Sequence, residues 1–262
     1  MAVLAGAEPF RHSGGPVGVL LCHGFTGSPH SMRPWGEYLA AAGYSVELPL
    51  LPGHGTTWQD MNRSRWQQWY ATVEAAFTEL SARCSSVVVA GLSMGGALAL
   101  RLAEQRGAEV SGLVLVNPAV RIEDPRLKVL PVLRWLVPAL PGIGSDIKKP
   151  GTTELAYPKT PLQALHSMVE MYAGVVTDLP RVTQPLLLLR SVEDHVVPVS
   201  SSALILDRVA STDKAEVLLH DSYHVATLDN DAETIFSTSA AFIARVTRAS
   251  EGASGSATGG AR

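Results

Sequence analysis

Six short apolar runs alternate along the chain with longer amphipathic or alanine-rich stretches. VGVLLCH (17–23), YSVELPL (44–50), SVVVAGL (86–92), VSGLVLVN (110–117), PLLLLRS (185–191) and AEVLLHD (215–221) have the length and apolar character of strands. Between them the spacing predicts helices over about 31–42, 62–82, 95–107, 199–210 and 230–246. Strand followed by helix, repeated, is the pattern of a mostly parallel sheet wrapped by helices, an α/β fold, and no internal repeat interrupts it. The rhythm lapses from about 120 to 180, where prolines at 125, 131, 138, 141, 150, 158 and 161 divide an apolar segment into short pieces. The expected organisation is therefore a core from 1–119 and 181–248, a cap-like insertion at 120–180, and a flexible Gly/Ser/Ala-rich tail at 249–262. An insertion after the VLVN strand lies at the carboxyl ends of the strands, where open α/β sheets bind ligands.

Composition narrows the function classes. With 262 residues, 46% hydrophobic and 17% charged, the chain can bury a large core. A net charge of -3 and scattered arginines offer no basic face for nucleic acid. Two cysteines, Cys22 and Cys84, fit buried reduced thiols better than a disulfide framework or a metal site. The N-terminus lacks the basic start and apolar core of a signal peptide, so a cytoplasmic location is expected. The most apolar stretch, 129–144, is interrupted by Pro131, Arg134, Pro138 and Pro141 and is too short to span a bilayer. Its Leu/Val/Trp content around Trp135 adds peripheral contact with a membrane or lipid droplet to the expectations.

The segment VVVAGLSMGGAL (87–98) carries a G-x-S-x-G pattern at a strand-to-helix junction. The bare pattern arises by chance in about one chain in ten of this length, so its context must decide. A serine thrust out of a sharp turn needs neighbours without side chains, and Gly91 and Gly95 supply that room around Ser93. The following helix leaves the Met94 N–H unpaired beside whatever Ser93 attacks, one half of an oxyanion hole. HGF, after the first strand run, offers the Phe25 N–H as the second donor, with Gly24 in the same turn. His23 precedes the nucleophile, and the chain order Ser, Asp, His makes it a brace for that loop rather than the base. EDH after the fifth apolar run offers Asp194, preferred to Glu193, as the acid. The loop beyond the last run offers His224, which can reach back over the sheet edge, whereas His220 lies inside the strand run. His12, His30, His54, His166, His195 and His220 read as surface or internally satisfied side chains, since only one imidazole is needed.

HGFTGSPHSMRPW, LPGHGT, GLSMGG, GSDIKKP, ELAYPKTP, EDHVVP and SYHVATLD together resemble a bacterial monoacylglycerol lipase of the Bacillus type, within the α/β-hydrolase superfamily and close to its small carboxylesterases. The resemblance runs from GAEPF to the last helix. It implies an α/β-hydrolase fold with a small cap inserted after the sixth strand, and cleavage of monoacylglycerols to glycerol and fatty acid through an acyl-enzyme with no metal or cofactor. Ser93, Asp194 and His224 fall in its catalytic motifs, and Phe25 and Met94 at its oxyanion positions. It further implies that Glu154, within ELAY, reads the glycerol hydroxyls and that Ile143 lines the acyl groove. From the residues alone Glu154 reads as an exposed carboxylate at a helix start. The stretch PRLKVLPVLRWLVPALPGIG departs from the family pattern, which leaves acyl-chain preference open. Two alternatives stand beside this reading: a general carboxylesterase or thioesterase with another cap pocket, and a hydrolase-fold binding protein without chemistry. A dehalogenase is disfavoured because that reaction uses a carboxylate where this elbow has serine.

Overall fold

All six apolar runs become strands of one sheet, five of them mostly buried and the last, at 214–219, a largely exposed edge strand. The computed structural model describes residues 2–142 and 144–256. Strands β1 (Phe10–His12) and β2 (Val17–Cys22) are followed by α1 (Arg33–Ala41) and β3 (Ser45–Leu48), then by α2 (Trp58–Arg63), α3 (Trp66–Ser81) and β4 (Ser86–Leu92). Helix α4 (Met94–Arg106) leads to β5 (Gly112–Val116), after which come α5 (Leu130–Leu136), β6 (Ala139–Pro141), β7 (Lys159–Pro161) and α6 (Leu162–Asp178). The chain closes with β8 (Leu186–Ser191), α7 (Val199–Arg208), β9 (Lys214–Leu219) and α8 (Ala232–Ser256). The main sheet has the order β1-β3-β2-β4-β5-β8-β9, parallel throughout except for β1, while β6 and β7 pair antiparallel as a separate ribbon.

Alternate residues of each strand enter opposite halves of the core. Leu20, Val89, Leu113 and Leu188 pack with α3, α4 and α6, whereas Val19, Val88, Val114 and Leu187 pack with α1 and α8. Every residue of β4 and β5 is buried, so close packing holds their carboxyl ends in the core. Among the described residues no helix is long and apolar enough to cross a membrane.

Several boundaries differ from the sequence-based expectation. The helix expected over 62–82 is two helices, because Ser64 and Arg65 are extended. The Ser64 hydroxyl ends α2 by donating to Met61 O at 2.8 Å and accepts from Trp69 Nε1 at 2.9 Å. The insertion follows the fifth strand in chain order rather than the sixth: residues before β1 form turns, with Gly6 at φ 88° and Ala7 N bonded to Leu4 O. Within the stretch read as broken, α6 is a 17-residue helix, since the prolines stop at Pro161 and an apolar face returns at Leu162, Met168, Met171, Tyr172 and Val175. The last helix continues through 249–256, where the sequence suggests a flexible tail, because propagation from an anchored helix needs no apolar period. Ile143 and residues 257–262 lie outside the described residues.

Candidate active site

Ser93 occupies the junction of β4 and α4 with φ 56° and ψ -121°, a conformation that costs a side-chain-bearing residue about 1–3 kcal/mol. Its N–H donates to Val116 O at 3.0 Å, and its carbonyl accepts from Gly96 N at 2.9 Å and Ala119 N at 3.1 Å. The surrounding backbone leaves no room for relaxation. A Cβ on Gly91 would lie 2.3 Å from the Gly95 carbonyl carbon, and one on Gly95 would lie 1.9 Å from Cys22 O. Helix α4 begins at Met94, so the first N–H groups after Ser93 have no intrahelical acceptor. The Met94 side chain itself is buried in the core, away from the cavity.

Past β8 and β9 the chain brings Asp194 and His224 together. His224 Nδ1 lies 2.9 Å from Asp194 Oδ2, so Nδ1 carries the shared hydrogen and Nε2 remains as an acceptor. Asp194 Oδ1 accepts the N–H groups of Val196 and Val197, each at 2.8 Å. Burial works to raise the Asp194 pKa, but the His224 hydrogen bond and charge and the two backbone donors hold it below the usual carboxylate value. His220, the residue after β9, is exposed.

The turn after β2 approaches the elbow from the other side, and a Cβ on Gly24 would be 3.5 Å from Ser93 Cβ. Buried His23 ties this turn to the loop after β3: Nδ1 donates to Gly24 O at 3.0 Å and Nε2 accepts from Leu51 N at 3.2 Å. Burial pushes its pKa down to about 4, which keeps the ring neutral. Phe25 packs edge-on against Trp69 with ring centroids 6.0 Å apart.

Phe25, Ser93, His224 and Glu154 line one cavity of about 270 Å³. Its apolar wall comes from the insertion and α6, including Leu130, Leu133, Leu140, Leu162, Leu165 and Met168. Glu154 is not at a helix start, as the residues alone suggest, but half-buried in an irregular segment. A Cβ on Gly27 would lie 2.6 Å from its Oε1, so the glycine leaves space for the carboxylate. Burial raises the Glu154 pKa, against the opposing effects of His224 and a hydrogen bond with Ser31. The position of Ile143 lies outside the described residues.

Residues 17–231 match the family model Hydrolase_4, described as serine aminopeptidase, S33. The chain belongs to this family. It is 47% identical over 244 residues, 93% of its length and 96% of the relative's, to a thermostable monoacylglycerol lipase of Bacillus sp. (strain H-257). It is 26% identical to a carboxylesterase of Bacillus subtilis (strain 168) over 87% of this chain and 92% of that one. A solved structure from work on LipS and LipT, two metagenome-derived lipolytic enzymes, superposes with a TM-score of 0.91 at 47% identity, covering 93% of this chain and all of the other. The protein is thus an enzyme of the α/β-hydrolase fold.

Three further residues of this hydrolase, none assigned a role from the sequence, also touch the site. Asn117, buried at φ 43° beyond β5, donates to His224 O at 2.8 Å and accepts from Ser191 N at 2.7 Å, joining the base loop to the end of β8. Asp146 accepts the His224 N–H at 3.1 Å. The Tyr157 hydroxyl donates to Gly53 O and accepts from Thr56 N, both at 2.8 Å, while its own N–H donates to Thr26 O beside Phe25. Asn117 ends a strand between Val116 and Pro118, and Asp146 and Tyr157 fall within GSDIKKP and ELAYPKTP, but what the three hold is set by contacts across the fold.

Proposed function

We propose that this hydrolase cleaves monoacylglycerols to glycerol and fatty acid through an acyl-enzyme on Ser93. The observation that carries the reading is the shared cavity. It presents a strained serine, an imidazole aligned by a carboxylate, a half-buried Glu154 and a leucine-rich wall within one enclosure. In this reading His224 Nε2 takes the Ser93 proton as Oγ attacks the ester carbonyl, and Asp194 holds the imidazole tautomer and stabilises the imidazolium. The Phe25 and Met94 N–H groups receive the oxyanion, with the α4 N-terminus adding positive potential. His224 then returns the proton to the departing glycerol oxygen, and a water repeats the sequence to release the fatty acid. Glu154 hydrogen-bonds the glycerol hydroxyls, and the leucine wall takes the acyl chain.

The family description names a peptidase. The wall of Leu130, Leu133, Leu140, Leu162 and Leu165 suits an acyl chain, and the two Bacillus relatives are a monoacylglycerol lipase and a carboxylesterase. A second reading, a general carboxylesterase, is favoured by the Bacillus subtilis relative and differs only in whether glycerol is read. We place the enzyme in the cytoplasm, meeting lipid surfaces through exposed Val132, Trp135 and Leu136 of α5. Ser93→Ala and His224→Ala should each lower glycerol release from a monoacylglycerol by about 10⁴-fold or more. Activity within tenfold of wild type in either variant would overturn the assignment.

A further inference from the structure

The loop that carries His224 is fastened to the insertion by two carboxylates acting in opposite directions. Asp146 comes from the insertion. Its Oδ2 accepts from the backbone N–H of His224 at 3.1 Å and of His195 at 3.3 Å, its Oδ1 lies 2.8 Å from His195 Nδ1, and its carbonyl accepts from Val225 N at 3.0 Å. Asp229 comes from the other side, just past the base loop, and is buried. Its Oδ2 accepts from Lys148 N at 2.7 Å and Tyr223 N at 2.9 Å, and its Oδ1 from Lys149 N and Asn230 N, each at 2.8 Å.

We propose that Asp146 and Asp229 form a reciprocal clasp that positions His224, so that segment 146–149 of the insertion is a working part of the catalytic apparatus as well as a cover. The proposal rests on the reading of His224 as the base. A carboxylate has lone pairs enough for several N–H donors, and here the donors are backbone groups on the acid loop, the base loop and the insertion, together with the His195 ring. Asp146 touches the residue after Asp194 as well as His224 itself, so one side chain registers both partners of the 2.9 Å Asp194–His224 bond. Its oxygens are spent on loop donors, which leaves it poorly placed to read substrate even though it borders the cavity. From the sheet side Asn117 holds the His224 carbonyl at 2.8 Å. The two peptide groups flanking the imidazole are thereby held between the sheet and the insertion.

The test separates kcat from KM in Asp146→Ala, Asp146→Asn and Asp229→Asn on two substrates, a monoacylglycerol and a soluble p-nitrophenyl ester, and measures the rate at which a fluorophosphonate modifies Ser93. A misplaced base slows every reaction of Ser93 alike. Asp146→Ala should lower kcat on both esters, and the fluorophosphonate rate, by about 10–100-fold with KM little changed. Asp146→Asn should recover most of the loss, because its amide oxygen still accepts the His224 N–H. If Asp146→Ala does not fold, Asp229→Asn carries the same comparison, with an expected fall of about tenfold in kcat on both substrates. A rise in KM confined to the monoacylglycerol would mean that Asp146 reads substrate. A lower Tm with wild-type kcat and fluorophosphonate rate would mean that the clasp only supports the fold. An Asp146→Asn variant as impaired as Asp146→Ala would also contradict it. His224→Ala in the same assay distinguishes a failed clasp from a failed base assignment, since its retention of activity would remove the base itself.

Discussion

On its way out from the sheet, between Val129 and Leu136, the chain exposes Val132, Trp135 and Leu136 at 67%, 71% and 76%, with only Leu130 fully buried beneath them. On its way back, between Ser145 and Tyr157, it meets four loops of the core through polar bonds: Asp146 with the acid and base loops, the Leu155 carbonyl with Ser28 Oγ, and Tyr157 with Gly53 and Thr56 and with Thr26. The outward leg is apolar on both sides, one facing the cavity and one facing water. The return leg has little regular structure, yet its backbone and side chains are tied wherever the catalytic loops pass. In the proposed reading, directional bonds serve where a reacting atom must be held, and exposed apolar surface where a lipid substrate would enter. Substitutions in the two legs should therefore fail differently, the return leg through rate and specificity, the outward leg through access to lipid.

The sharpest break lies beneath both legs. Gly95→Ala forces a methyl to within 1.9 Å of Cys22 O, so the variant should lose the elbow geometry and essentially all esterase activity, readable as absent Ser93 labelling by a fluorophosphonate. In the return leg, Glu154→Ala should lower kcat/KM for a monoacylglycerol by about 10–100-fold while sparing a p-nitrophenyl ester. An equal loss on both substrates would make Glu154 a structural residue. Tyr157→Phe strands the Thr56 N–H and Gly53 carbonyl and should cost about 1–3 kcal/mol of stability, measurable as a lower midpoint in urea. In the outward leg, Trp135→Asp with Leu136→Asp should leave stability and soluble-ester kcat nearly unchanged, within about 0.5 kcal/mol, and reduce co-sedimentation with liposomes. Equal sedimentation of this variant and wild type would erase the functional difference drawn for the outward leg.

What the sequence made legible follows range of interaction. The strands and the elbow were readable because their signals are local: short apolar runs and glycines two residues either side of Ser93. His224 was reachable through chain order, which excluded His23, and exposure of His220 agrees with its being set aside. The clasp was not readable, because Asp146 and His224 are 78 residues apart and no periodicity links them. Helix α6 was obscured by the prolines before it, although residues 162–178 contain none and repeat at helical spacing. Glu154 owes its burial to Gly27 and to the loop after β2, a pairing across the fold that local pattern does not announce.

The central claim is that the return leg reads glycerol while Ser93 does the chemistry. Its most direct test is kcat/KM for a monoacylglycerol, the matching diacylglycerol and the matching methyl ester at C8 and C12, with Ser93→Ala as blank. A preference for the monoacylglycerol of at least about tenfold over the methyl ester is expected at both lengths. Equal rates on the monoacylglycerol and the methyl ester would contradict it and leave a general carboxylesterase.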